Sequence, residues 1–98
     1  KFILGKLKKY NKNNVKNLNT KISNFKIKQS VNGNTNTVYS NPLNALIFVL
    51  RKLQKEKVKN NKNFYVFTGS TVGVVPLLGT GTYVGKIQKL GSVKARIN

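Results

Sequence analysis

Seventeen lysines and two arginines face one carboxylate, Glu56, in a chain of 98 residues, for a formal charge of +18. Cations at this density do one kind of chemistry well, which is to neutralise phosphate. Among them Lys8, Lys9, Lys26, Lys28, Lys86, Lys89, Lys94 and Arg96 are the candidate phosphate contacts. Nucleic acid is therefore the leading partner, and an anionic membrane surface the second. Asp, His and Cys are absent. That removes paired carboxylates, serine and cysteine triads, the usual zinc and calcium ligand sets and any disulfide. Lysine alone can be a nucleophile, but no lysine is set apart from the rest. The expectation is a protein that is not an enzyme, with no cofactor, no metal and no small-molecule substrate.

Glycines are the other residues that invite a chemical reading. Gly79 to Gly85 followed by Lys86 has the look of a phosphate-binding loop. The spacing fails, because five residues rather than four separate the glycines and Ile87 follows the lysine. A dinucleotide fingerprint fails as well, since Val84 stands where its third glycine belongs. Gly69, Gly85 and Gly91 are read instead as turn residues or as points where the backbone passes close to RNA.

These groups need a scaffold, and the scaffold is organised around the stretch 63–85, which carries no charge at all. Its aromatic and β-branched residues, broken by glycines and Pro76, suit short strands and tight turns. Strands are expected at 64–67, 72–78 (interrupted at Pro76, which implies an edge or a bulge) and 80–84. Five glycines, a proline and five Ser/Thr leave this stretch too polar for a membrane helix, although a cationic membrane-associated protein built on it is the alternative reading.

Upstream, residues 1–9 mix Phe2, Ile3 and Leu7 with lysines and suggest a short docking helix, weakened by Gly5. Residues 11–19 form an Asn/Lys tract with little to bury. Alternation of Phe25 and Ile27 with Lys26 and Lys28 predicts a half-buried strand at 25–28, Asn32-Gly33-Asn34 a turn, and 35–39 a second extended piece. Asn41 and Pro42 then open a helix over 42–57, with Leu43, Leu46, Ile47, Leu50 and Leu53 at helical spacing and Leu46, Ile47 and Leu50 expected against the sheet. Residues 60–63 read as a linker. The whole is one α+β domain spanning 1–98: a small antiparallel sheet, one main helix, a basic N-terminal extension (1–20) and a basic C-terminal tail (87–98).

Part of the chain also resembles a known family, protein nineteen of the small ribosomal subunit. Val66-Phe67-Thr68-Gly69 is similar to that family's Val-Tyr-Asn-Gly, Val75-Pro76-Leu77-Leu78 to its Pro-Val strand, and Thr80-Gly81-Thr82-Tyr83-Val84-Gly85 to its Thr-x-x-Met-Val-Gly. Leu90-Gly91 matches its Leu-Gly pair and Arg96 falls in its basic tail. The family's Trp, its His-Lys and its Gly-Glu have no counterpart, and the 42–57 helix would be an insertion. A second, weaker resemblance is to protein seven of the small subunit, through Asn41-Pro42-Leu43 and Gly79 to Tyr83. The first resemblance implies a structural protein bound to ribosomal RNA in the subunit head, beside protein thirteen and other ribosomal neighbours. It also implies that the backbone turns sharply or meets RNA at Gly85. The abundance of Lys and Asn, whose codons are AT-rich, points to an organellar and specifically mitochondrial ribosome, with bacterial or plastid ribosomes as alternatives.

Overall fold

The computed structural model describes residues 2–11, 15–38, 41–57 and 65–98. Within them lie five regular elements: β1 (Asn19–Asn24), β2 (Gln29–Asn34), α1 (Pro42–Lys55), β3 (Gly81–Ile87) and β4 (Gly91–Ile97). The strands form one antiparallel sheet in the order β2-β1-β3-β4. An α+β fold with a small antiparallel sheet and one main helix is what the sequence implied. The linker expected at 60–63 falls outside the described residues, as do Phe64, Ser40 and Tyr39.

Two local hairpins build the sheet. Between β1 and β2 the chain makes a single 3-10 turn, Phe25–Ile27. Asn24 caps it, its side-chain oxygen accepting from the Lys26 N–H at 3.1 Å, and Lys28 closes it in a left-handed conformation (φ 54°). The strict alternation at 25–28 thus belongs to a turn and not to a strand. Four residues leave no length for a ladder once Asn24 has begun to cap. Asn32-Gly33-Asn34, expected as a turn, runs straight as the end of β2, and 35–37 is a second 3-10 turn capped by Asn34. The second hairpin joins β3 to β4 through Gln88, Lys89 and Leu90, with the Leu90 N–H donating to the Ile87 carbonyl at 3.0 Å. Lys89 (φ 67°) and Gly91 (φ 107°) supply the left-handed backbone this turn needs, so Gly91 has a conformational reason to be glycine.

Register fixes which side chains share a face, because paired residues in an antiparallel ladder point the same way. One face collects Thr20, Ile22, Asn24, Gln29, Val31, Tyr83, Ile87, Val93, Ala95 and Ile97. Part of the uncharged stretch lies across it as an irregular strap, where strands were expected at 64–67 and 72–78. The strap's described residues, 65–80, form no ladder and are held by side chains. Thr71 donates its hydroxyl to that of Thr20 at 2.7 Å, and Gln29 donates its amide to the Pro76 carbonyl at 2.8 Å. The Tyr83 hydroxyl lies 3.0 Å from the Gln29 side-chain oxygen and 3.1 Å from the Gly79 carbonyl. The N-terminal segment crosses the same face, with Gly5 over Val93 and Phe2 stacked on Phe67 (ring centres 4.2 Å apart). No regular element forms in 2–11, so the docking helix expected there is replaced by an irregular segment.

The helix begins as its sequence dictates: the Asn41 side chain accepts from the Leu43 N–H at 2.8 Å, and Pro42 occupies the first turn. Its packing is less than expected. Ala45 is buried, but Ile47 and Leu50 are 37% and 38% exposed and Phe48 is 58% exposed. The N-terminal half is engaged, with Pro42, Leu43 and Leu46 beside Tyr10, Val66 and Thr68. Among the described residues the buried apolar side chains are Leu18, Val38, Ala45 and Tyr83. So small a core opposes chain entropy weakly, and the charge of +18 works against it.

The C-terminal segment is extended, but it is not a free tail. Val93, Ala95 and Ile97 alternate with Lys94 and Arg96, so one edge of the segment is apolar enough to join β3 as β4. Gly85 corrects a second expectation. It sits in mid-strand, paired with Ile22 and Val93, without positive φ, and a Cβ there would meet Val93 only at 3.4 Å. No sharp turn occurs at Gly85, because β3 continues two residues further.

Candidate nucleic-acid interface

Among the described residues the opposite face of the sheet is largely open, Ser23 (8% exposed) being its one buried side chain. By register it carries Ser30, Asn32 and Asn34 from β2, Asn19, Lys21 and Ser23 from β1, Thr82, Val84 and Lys86 from β3, and Ser92, Lys94 and Arg96 from β4. Val84 is the one apolar member. Lys21, Lys86, Lys94 and Arg96 are all exposed. Lys21 pairs directly with Lys86 across the central seam, while Lys94 is opposite Val84 and Arg96 opposite Thr82. The four cations form a diagonal stripe over three strands, spanning about 17 Å between the outer Cα positions at ordinary strand spacings.

Lysines directly opposite each other destabilise a sheet. No carboxylate stands within the stripe, the sole acid being Glu56 at the C-cap of α1. An anion placed against the seam would relieve this repulsion. Replacing Lys21 by glutamate is expected to have opposite effects on two measurements. The free protein gains about 0.5–1 kcal/mol by turning repulsion into attraction, while affinity for RNA falls. Urea unfolding at fixed salt, alongside filter binding, checks both signs. Parallel loss of stability and binding contradicts this account of the seam.

At the end of the stripe the open face deepens into a shallow cleft. Phe25, Lys26 and Thr80 stand on one side, Lys94, Arg96 and Asn98 on the other, and Thr82 and Val84 lie between them. The turn that holds Phe25 and Lys26 is anchored firmly. Asn24, 1% exposed, donates its amide to the Thr80 carbonyl at 3.1 Å, and Lys26 donates its ammonium to the Thr80 hydroxyl at 2.9 Å. Gly81 (φ 122°) must lack a side chain here, because a Cβ would come within 2.9 Å of the Asn24 oxygen and 3.2 Å of the Lys26 Cβ.

Of the eight cations singled out in the sequence, Lys86, Lys94 and Arg96 share the stripe and Lys26 joins them at the cleft. Lys28 lies at the end of the same turn. Lys89 sits apart, at the tip of the β3–β4 hairpin. Lys8 and Lys9 follow the segment that crosses the covered face, so the fold does not bring them to the stripe. Lys21 was missed. It lies just before the 25–28 alternation that drew attention, and its partner Lys86 is 65 positions away. Of the three glycines, Gly69 (φ 128°) and Gly91 (φ 107°) use a backbone that other residues rarely adopt, and Gly85 does not. Among the described residues no helix is long and apolar enough to cross a membrane. No family model, no curated protein and no solved structure matches this chain.

Proposed function

We propose that this chain is a structural, non-catalytic RNA-binding protein of a small ribosomal subunit, which docks its open sheet face on ribosomal RNA. The observation that carries the reading is the Lys21–Lys86 pair in a cationic stripe on one face of the sheet. Such a surface is unfavourable in the free protein and favourable against phosphate. Lysines and Arg96 supply the charge, and the Ser, Thr and Asn side chains around them suit phosphate and ribose hydroxyls. The subunit head, protein thirteen as a neighbour and a mitochondrial ribosome are the finer parts of the proposal. They rest on the resemblance within 64–96 and on residue usage.

Salt dependence tests the mechanism. With five cations (Lys21, Lys26, Lys86, Lys94 and Arg96) on phosphates, log K against log salt falls with a slope of about −3.5 to −4.5. That corresponds to about a 100- to 500-fold loss between roughly 50 and 200 mM. A flat dependence excludes phosphate neutralisation as the source of affinity. The ribosomal assignment is tested by sedimentation of the tagged chain from a native extract. Migration with the small subunit supports it, and flotation with lipid supports the membrane-associated alternative.

A further inference from the structure

The cleft beside the stripe contains a group that phosphate does not need. Phe25 is 82% exposed at the tip of the β1–β2 turn, although it is among the most apolar residues of the chain. Nothing in its local structure requires an aromatic ring, because the turn is made by Asn24 and closed by Lys28. The ring nevertheless stands on a rigid base. Asn24 is fully buried and tied to Thr80, Gly81 leaves room beneath the turn, and Lys26 is hydrogen-bonded to Thr80.

We infer that this cleft is a site for an unpaired nucleotide, in which a base stacks on Phe25 while its flanking phosphates meet Lys26, Lys94 and Arg96. The inference rests on the RNA-binding reading above and narrows its ligand from RNA in general to a single-stranded segment. A duplex hides its base faces, so an exposed ring gains nothing from it beyond the phosphate contacts. A splayed strand offers a π-face to any aromatic platform. Exposed hydroxyls of Thr80 and Thr82 and the Asn98 amide border the cleft, within reach of a ribose or a base edge. A lipid surface fits less well. Membrane insertion calls for several apolar anchors on one side, whereas the open face apart from Phe25 and Val84 consists of Ser, Thr, Asn and cations.

The test uses the full chain, a ten-nucleotide oligouridine and an RNA duplex of equal phosphate count at one salt concentration. Phe25→Ala is expected to weaken single-strand binding about 5- to 100-fold and to leave duplex binding within twofold. Phe25→Trp restores single-strand binding. Because the natural chain has no Trp, its fluorescence reports the site directly, and it is quenched by oligouridine and not by the duplex. Removal of the cations (Lys94→Ala with Arg96→Ala) weakens both ligands. Equal effects of Phe25→Ala on the two RNAs, or no effect on either, overturn the stacking site while leaving RNA binding intact. Failure of the natural chain to bind either RNA overturns both readings. A blue shift of the Phe25→Trp variant with phosphatidylserine vesicles, without quenching by oligouridine, overturns the site in favour of a lipid surface.

Discussion

Gly33→Ala is expected to destabilise the protein by about 2–4 kcal/mol, which is enough to unfold much of so small a domain. The reason lies in the strap over the covered face. Gly33 pairs with Thr20 in the β1–β2 ladder, and the carbonyl of Thr71 occupies the space where a Cβ would project. The neighbouring Val72 side chain would also be too close, at 2.8 Å. Backbone is a poor neighbour to displace. Moving Thr71 away also breaks its hydrogen bond to Thr20 and its weaker contact with the Thr37 hydroxyl at 3.3 Å. The strap would lift and uncover Ile22, Val31 and Tyr83 together. Thermal melting followed by circular dichroism, at a salt concentration that screens the lysines, reads the loss. Ser30→Ala, on the open face of the same strand, is the control and should melt with the natural chain. A Gly33→Ala protein that also melts with it means the strap is not seated on β2.

Asn24→Leu is the second large effect, at about 2–4 kcal/mol. Leucine keeps the branching and the heavy-atom count of asparagine, but its methyl groups are bulkier, so some overpacking adds to the loss. The larger part comes from hydrogen bonding. Asn24 is 1% exposed and makes bonds of both kinds, accepting from the Lys26 N–H and donating to the Thr80 carbonyl. Leucine leaves both partners unsatisfied at a junction between the first hairpin and the start of β3. The turn carrying Phe25 and Lys26 should loosen with it. Asn24→Leu should therefore lose stability and single-strand affinity together, whereas Phe25→Ala loses only affinity. Asn32→Leu, an exposed asparagine on β2, should change stability by less than about 0.5 kcal/mol. If Asn24→Leu behaves like Asn32→Leu in urea unfolding, the junction is not held by that side chain.

Some of this architecture is legible in the sequence, and for physical reasons some is not. The start of α1 is local chemistry: a capping asparagine, a proline in the first turn and apolar residues at three- and four-residue spacing. All of it survives in the fold. The packing of that helix is not local, and so the exposure of Ile47 and Leu50 was not foreseen. β4 was legible, since Val93, Ala95 and Ile97 alternate strictly with cations, but the charge of the segment drew attention from its period. β2 was not, because Asn-Gly-Asn is a turn signal everywhere except where another segment must lie against the glycine. The strap misleads most. Its β-branched residues suit strands in isolation, and only the hydrogen bonds to it from Gln29 and Thr37, and from its Thr71 to Thr20, show that they serve as a cover. The cations themselves were plain, whereas their convergence depends on a register joining residues 21 and 86.

That register also sets the order in which the molecule can be completed. The backbone ladder of each hairpin closes over a few residues. The seam between them joins positions 20–23 to 84–87, so it cannot form on a growing chain until residues 84–87 have been made. Pairing over such a sequence distance costs more chain entropy than closing a hairpin, and here the two sides meet with lysine against lysine. The pairing of longest range is therefore also electrostatically opposed. A polyanion that binds both hairpins acts on that pairing, as a template that brings two finished halves into register.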